Sequence, residues 1–389
     1  MAEELSYVLV TPYSIRKSRS GGIISRLVSR SGLDLARARM FAPSPQFIEE
    51  FADTIVTHSG NPVRQRVQEL LRDYVLREFT PDAQRNPRVM ILVFRGENAV
   101  ARLRDVVGSI THQLNAGESI RDTYGDYITD AFGNVVHFEP AAIVPQDNAT
   151  AEANLKLFAA YSDRDGGVLD KAVRFPQGAN VQKTLVLIKP DNFRYPNSRP
   201  GGVMDLFSRT GLNIIGMKVH HMSVAQACEF YGPVLEVLKS LHREHTGGRA
   251  TDLIERELGL TLDEQAREAL ADLLGPIGGQ QHWETLVEFM AGSRPSKTPV
   301  EAKNEPGRQK CIALIYQGVD AVQKIRAVLG PTDPSKAPAG TIRKEFGQTM
   351  MVNAAHASDS VENAEREMGI IRIEENNLKP FVESFYGSL

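Results

Sequence analysis

The stretch VNAAHASDSVENAERE, residues 352–367, sets one histidine, His356, where an apolar run gives way to an acidic one, with Ser358, Asp359 and Ser360 just beyond it. A single histidine among hydroxyls falls short of the three or four N, S or O ligands that zinc takes. Imidazole is nevertheless the side chain best suited to exchange a proton or a phosphoryl group near neutral pH. Asp359 with Glu362 three positions on forms a D-x-x-E variant of the capping box, so a helix is expected to start here. His356 would then lie beside backbone N–H groups at a helix N-terminus, which attract anions such as phosphate. The preceding FGQTMMVNAA reads as a short buried strand. Against this stands the plainer reading of a loop histidine that only packs.

The elements that must position such a residue come from a chain of 389 residues, long enough for two or more domains. Its 42% apolar and 24% charged content is that of a globular protein. A net charge of −3 gives no basic balance toward nucleic acid or acidic membranes. Cys228 and Cys311 are far apart in apolar surroundings, as core thiols of a reducing compartment would be. The opening MAEELSYVLVTPY lacks the basic-then-apolar order of a secretory signal, and no apolar run approaches the ~18 residues that span a bilayer. A cytoplasmic protein is expected, with no membrane and no nucleic acid as partner.

The chain repeats itself. LSYVLVTPYSIRKSRSGGIISRLVSRSGL near the start answers KTLVLIKPDNFRYPNSRPGGVMDLFSRTGL from Lys183; RVMILVFRGENAVARLRDVVG answers KCIALIYQGVDAVQKIRAVLG; and ESIRDTYG answers GTIRKEFG. Each copy reads as strands alternating with helices, which suits a ferredoxin-like α/β sandwich with helices on one face of an antiparallel sheet. The fold class expected is therefore α/β (α+β): two ferredoxin-like (βαββαβ) sandwich domains in tandem, packed as a pseudo-dimer, with a helical insert in the second. The first copy is assigned to residues 1–165, a linker to 166–180 and the second copy to 181–389, with inserts at about 246–281 and 293–309. In the first insert, TLDEQAREALADLLG is expected to be a helix capped by Thr261 with Glu264. The second, SRPSKTPVEAKNEPGRQ, is read as a mobile loop.

VLIKPD, GPTDPSKAPAGTIRKEFG and NAAHASDSVENAERE together resemble a nucleoside diphosphate kinase. The resemblance covers nearly all of residues 183–378 outside the inserts and, more weakly, residues 5–160. It implies transfer of the γ-phosphate of a nucleoside triphosphate such as ATP to a nucleoside diphosphate, through a ping-pong phosphohistidine at His356. Nucleoside di- and triphosphates are the implied partners, and Mg²⁺ the implied cofactor, bound mainly through their phosphates with no protein metal site. By the same resemblance Lys189 approaches the transferring phosphate, Arg326 and Arg343 bind phosphate oxygens, and Thr332 offers them a hydroxyl. Asn353 contacts the sugar, and Tyr231 lies near the histidine. Glu367 bonds the ring nitrogen that is not phosphorylated, and Ser358 sits beside the phosphohistidine. Guanidinium forks fit phosphate oxygens, and there is no Gly-rich phosphate loop of the G-x-x-x-x-G-K-[ST] kind.

This chain departs from the family at two places. Ala357 stands where the family has glycine, so a positive φ there would cost about 1 kcal/mol. The base-stacking phenylalanine is replaced by the segment QQHWETLVEFM, which offers His282 or Trp283. In the first copy Thr11 takes the lysine position, Ala52 the tyrosine position and Ile143 the histidine position, while Arg104 and Arg121 persist and His137 falls six residues early. That copy is expected to be inactive. The alternative function is a non-catalytic nucleotide-binding or scaffold protein built on the same fold, and further homo-oligomerisation is left open.

Overall fold

A computed structural model describes residues 3–56, 61–82, 85–110 and 117–388. Two compact units are present: Met1–Val219 together with Ile312–Leu389, and His220–Cys311. The first copy runs β1 (Glu3–Val10), α1 (Pro12–Arg16), α2 (Ser20–Arg30), β2 (Asp34–Phe41), α3 (Pro45–Asp53), α4 (Pro62–Glu78), β3 (Val89–Glu97), α5 (Ala99–Val107), α6 (Ile120–Tyr124), the hairpin β4 (Asp126–Thr129) and β5 (Val135–Glu139), β6 (Ala142–Ile143) and α7 (Asn148–Tyr161). The second starts with β7 (Val181–Ile188), α8 (Arg199–Ser208) and β8 (Asn213–His220). Helices α9 (Val224–Phe230), α10 (Val234–His242), α11 (Gly248–Leu258) and α12 (Glu264–Ala291) follow as the second unit. The second copy then resumes with β9 (Cys311–Val319), α13 (Ala321–Leu329), α14 (Ile342–Phe346), β10 (Ala355–Ala357), α15 (Val361–Ile370) and α16 (Lys379–Tyr386).

The repeat in the sequence is a repeat in topology. Strand order is β2-β3-β1-β6 in one sheet and β8-β9-β7-β10 in the other, position for position the same. The central strand pairs antiparallel with both of its neighbours in each sheet.

Both faces of the first sheet are covered, which differs from the one-faced sandwich expected. Val8 and Val10 enter a core with Ile24 and Leu27, whereas Leu5, Tyr7 and Leu9 enter an aromatic core with Phe47, Phe51 and Phe158. A strand buried on both faces loses apolar–polar alternation and reads as one apolar run, as SYVLV does. Each fully buried phenylalanine contributes roughly 1.5–3 kcal/mol.

The copies meet through α2 and α8. A Cβ at Gly21 would fall 2.6 Å from both the Gly201 oxygen and the Asp205 nitrogen; one at Gly201 would fall 2.2 Å from the Gly21 oxygen and 2.3 Å from the Ser25 nitrogen. Gly201 is the repeat equivalent of Gly21 and Asp205 that of Ser25, so the contact is reciprocal, the mark of an isologous interface. Only residues without a side chain allow the helices this close. Ile24 and Leu27 share their core with Val203 and Phe207 of the second copy.

Two crossing segments add to this. Between the copies, Ala42 N donates to Asp165 O, Gly167 N to Met40 O and Leu169 N to Ile215 O, at 2.8, 3.0 and 2.8 Å, so residues 165–169 tie β2 to β8. At the far end, Leu378 and Val382 are fully buried in the first copy's aromatic core, and the Arg37 guanidinium lies 4.1 Å from the Phe381 ring centre.

In the second unit, α12 starts two residues later than read from TLDE in the sequence. Its cap is Asp263, which accepts from Ala266 N at 2.8 Å, in place of Thr261. The helix runs on through Pro276 to Ala291. The segment expected as a mobile loop forms two 3₁₀ turns, Pro295–Lys297 and Val300–Ala302, with Ser293 and Thr298 hydroxyls 2.8 Å apart.

Candidate functional site

His356 is carried by β10, a three-residue edge strand opposite Leu187 of β7. The longer strand read in FGQTMMVNAA is absent, because Gln348–Asn353 is spent on a turn in which Gln348 N and Thr349 N both donate to Val352 O. The cap of α15 is also shifted by one residue: Ser360, not Asp359, accepts from Asn363 N at 3.0 Å. The Asp359 carboxyl lies below the usual carboxylate range, chiefly because Asn363 Nδ2 donates to it, with Arg326 and His356 adding positive potential. Arg326, exposed on α13, is thus close enough to act electrostatically on the same corner.

Glu367 organises the histidine. His356 Nε2 lies 2.9 Å from Glu367 Oε2, and the same oxygen accepts from Ser358 Oγ at 2.6 Å. Glu367 and Ser358 are buried, while the histidine side chain is 24% exposed. A carboxylate accepting at Nε2 selects the tautomer with its lone pair on Nδ1. The geometry follows from spacing: Ser358 is one residue past the strand, and Glu367 lies on α15, three helical turns along in sequence.

Lys189 ends β7 beside this strand. Its N–H donates to Ala354 O at 2.9 Å; its Nζ donates to Asn353 Oδ1 at 2.9 Å and to Met351 O at 2.6 Å. Burial brings the ammonium down to about 8; Asp191 opposes the shift and Arg343 adds to it. Asn353 is buried, and its Nδ2 donates to Thr332 O at 3.1 Å and to Met350 O at 2.8 Å. One amide therefore joins the lysine to the exposed Thr332 loop. Arg343 donates from Nη1 to Gly330 O at 3.0 Å and from Nη2 to Ala355 O at 3.2 Å, fixing its guanidinium against the histidine strand. Tyr231 belongs to the second unit, where its carbonyl accepts from Trp283 Nε1 at 2.9 Å. Trp283 is buried there, and His282 is exposed with its Nδ1 3.1 Å from His242 Nε2.

Two residues that sequence reasoning passed over hold the site's backbone. Positive φ falls at Ala354 (φ 69°), not at Ala357, which lies in the strand. The Ala354 N–H donates to Asp191 Oδ2 at 3.2 Å, and Ala354 O accepts from Asn192 Nδ2 at 2.7 Å. A left-handed alanine costs about 1–2 kcal/mol, so it persists where such bonds over-determine it. Arg199 completes the arrangement, 3.5 Å from Asp191 Oδ2 and donating to Phe346 O at 2.6 Å. The only signal for this was the aspartate and asparagine following KP in IKPDN.

The first copy keeps the frame without these groups. Ala141, equivalent to Ala354, also has positive φ (59°). Its N–H goes to Glu139 Oε1 at 3.3 Å, and its carbonyl accepts from Ser14 Oγ at 2.9 Å. Thr11 Oγ1 donates to Glu139 Oε1 at 2.9 Å, and Tyr74 OH donates to the same carboxyl, which burial pushes up. Ile143 is buried at the histidine position, and Asn154, which donates to Tyr7 OH at 2.8 Å, stands where the second copy has Glu367. His137 lies on β5, exposed.

The second copy of a doubled ferredoxin-like sandwich thus carries a histidine–carboxylate pair on the strand beside a buried lysine. The family model described as nucleoside diphosphate kinase matches residues 4–158 and 267–376. Among relatives, the nucleoside diphosphate kinase of Helicobacter pylori is 30% identical over 187 residues, 48% of this chain and 92% of that protein. That of Staphylothermus marinus is 30% identical over 192 residues, 49% of this chain and 93% of its own. Among solved structures, the Aquifex aeolicus nucleoside diphosphate kinase has 25% identity and a TM-score of 0.30, covering 51% of this chain and 98% of that one. An NDP kinase from Pyrobaculum aerophilum has 27% identity and a TM-score of 0.33, covering 49% and 94%. The chain belongs to the nucleoside diphosphate kinase family, in a tandem form.

Proposed function

We propose that this protein is an active nucleoside diphosphate kinase with one working site per chain, in the second copy. The observation that carries the reading is the single Glu367 oxygen shared by His356 Nε2 and Ser358 Oγ. It sets the ring tautomer that presents Nδ1 as nucleophile. In the first half-reaction Nδ1 attacks the γ-phosphorus of a nucleoside triphosphate such as ATP. The P–O bond to the β-phosphate breaks, its electron pair leaves with the nucleoside diphosphate, and a P–N bond forms. In the second, a β-phosphate oxygen of another nucleoside diphosphate attacks, and the P–N electrons return to the ring.

Lys189 and Arg343 supply positive charge to the oxygens of the transferring group, where preorganised donors act most strongly. Arg326 and the Thr332 hydroxyl take the outer phosphates, and Asn353 the sugar while it braces Lys189. By the family resemblance Tyr231 keeps its assigned catalytic role, and His282, the exposed ring of the pair, the stacking role for the base. Mg²⁺ enters as part of the substrate, on its phosphate oxygens.

The same proposal keeps residues 1–165 as an inactive copy, 166–180 as linker, and 181–389 as the catalytic copy with inserts at about 246–281 and 293–309. The reciprocal contact of Gly21 and Gly201 supports a pseudo-two-fold dimer within one chain. Cys228 and Cys311 are thiols rather than a disulfide, which suits a reducing cytoplasm. Steady-state transfer from ATP to a series of nucleoside diphosphates tests the reading: parallel lines in double-reciprocal plots are expected, and intersecting lines would refute a ping-pong route.

A further inference from the structure

The first copy contains a cavity of about 670 Å³ between α4, α5 and the turn at Val144–Gln146. We propose that it is a second nucleotide site, binding a nucleoside di- or triphosphate without transferring its phosphate. The volume is within the roughly 300–1,000 Å³ of small-molecule sites, which pair an apolar lining with a few placed polar groups. Here Val67, Leu71 and Val144 supply apolar surface and Arg64, Arg104 and Arg121 the charge, against one lining acid, Asp105.

Two observations point to phosphate as the charged part of the ligand. First, the two bonds that fix Arg343 in the second copy recur at Arg121, which also donates from Nε to Pro140 O at 3.3 Å. Arg121 donates from Nη1 to Gly108 O and from Nη2 to Ala142 O, as Arg343 does to Gly330 O and Ala355 O. Arg104 takes the place of Arg326 one helical turn before the same glycine. Second, three N–H donors already converge on one oxygen. Gln146 Oε1 accepts from Arg64 Nε at 3.0 Å, Arg64 Nη2 at 2.6 Å and Gln68 Nε2 at 2.8 Å. A phosphate oxygen can replace that amide oxygen and form stronger, charge-assisted bonds. Binding ends there, because Ile143 has no nucleophilic atom and Thr11 is turned onto Glu139 and Ala141.

The inference rests on the repeat, and on the kinase reading only for the choice of probe. Binding of a β,γ-imido ATP analogue to the full chain, counted by calorimetry or equilibrium dialysis, tests it. The double change Arg64→Ala/Arg104→Ala, at two exposed side chains, is expected to remove one equivalent per chain. Val67→Trp, which fills the cavity without altering charge, should remove the same equivalent, and an unchanged melting profile certifies the fold. Inorganic triphosphate should compete at least tenfold more weakly if the apolar lining holds the base. An equivalent count that neither variant lowers overturns the proposal, whether or not the second copy binds or transfers.

Discussion

Asp191 Oδ2 accepts the backbone N–H of Ala354, the left-handed alanine two residues before His356, at 3.2 Å. The same carboxylate faces Arg199 and raises the affinity of buried Lys189 for its proton. One side chain thus sets both the course of the histidine strand and the charge of the lysine beside it. The first copy does the first task with Glu139 and has no lysine for the second.

Lys189 is charged below about 8 and neutral above it, so turnover that needs the cation falls as pH rises through about 8. Asp191→Asn removes the carboxylate that raises this lysine's proton affinity, while Arg343 still lowers it, and the alkaline limb of kcat/KM should move to lower pH. Profiles of the two proteins side by side check this. A variant that loses activity equally at every pH would show that Asp191 acts on the backbone alone.

Lys189→Ala and Arg343→Ala should each lower kcat by roughly 10²-fold or more, the scale for a donor aimed at developing charge. Thr11→Ala, at the equivalent position in the first copy, should leave turnover as it is. Steady-state kinetics of the three decide between one working site and two.

Gly201→Ala and Gly21→Ala insert a methyl where backbone atoms stand 2.2–2.6 Å away. Each is expected to cost about 3 kcal/mol, the upper part of the overpacking range, read as a lower denaturant midpoint. Because the contact is reciprocal, the two losses should be similar, and adding them in one chain should cost less than their sum.

Residues 181–389 expressed alone should be unstable or self-associate. The fragment exposes Val203 and Phe207, and with them Leu378 and Val382, whose burial depends on the first copy. Sedimentation and thermal melting test this, and a monomer as stable and active as the whole chain would overturn it.

The repeat is legible in the sequence because it is a local pattern, and the pairing of Glu367 with His356 is what the family resemblance implies. An eleven-residue step onto a helix face brings a carboxylate back to the strand that precedes the helix. What stayed hidden was of another kind. Apolar runs say that β1 is buried but not that its two faces enter different cores. Alanine gives no sign of positive φ, so the departure from the family glycine draws attention to Ala357, whereas the left-handed residue is Ala354. Ser360 and Asp359 are both good caps, and only the course of the backbone chooses between them. The tail crossing of Leu378 and Val382 depends on a partner far away in sequence.

The central claim is that His356 carries the phosphoryl group between nucleotides. The full chain incubated with γ-³²P-ATP and stripped of nucleotide should retain acid-labile, alkali-stable label at up to one equivalent. Added nucleoside diphosphate should discharge it as triphosphate, and His356→Ala should take up none while still binding nucleotide. Label that survives in His356→Ala, or that a nucleoside diphosphate cannot remove, would contradict the account.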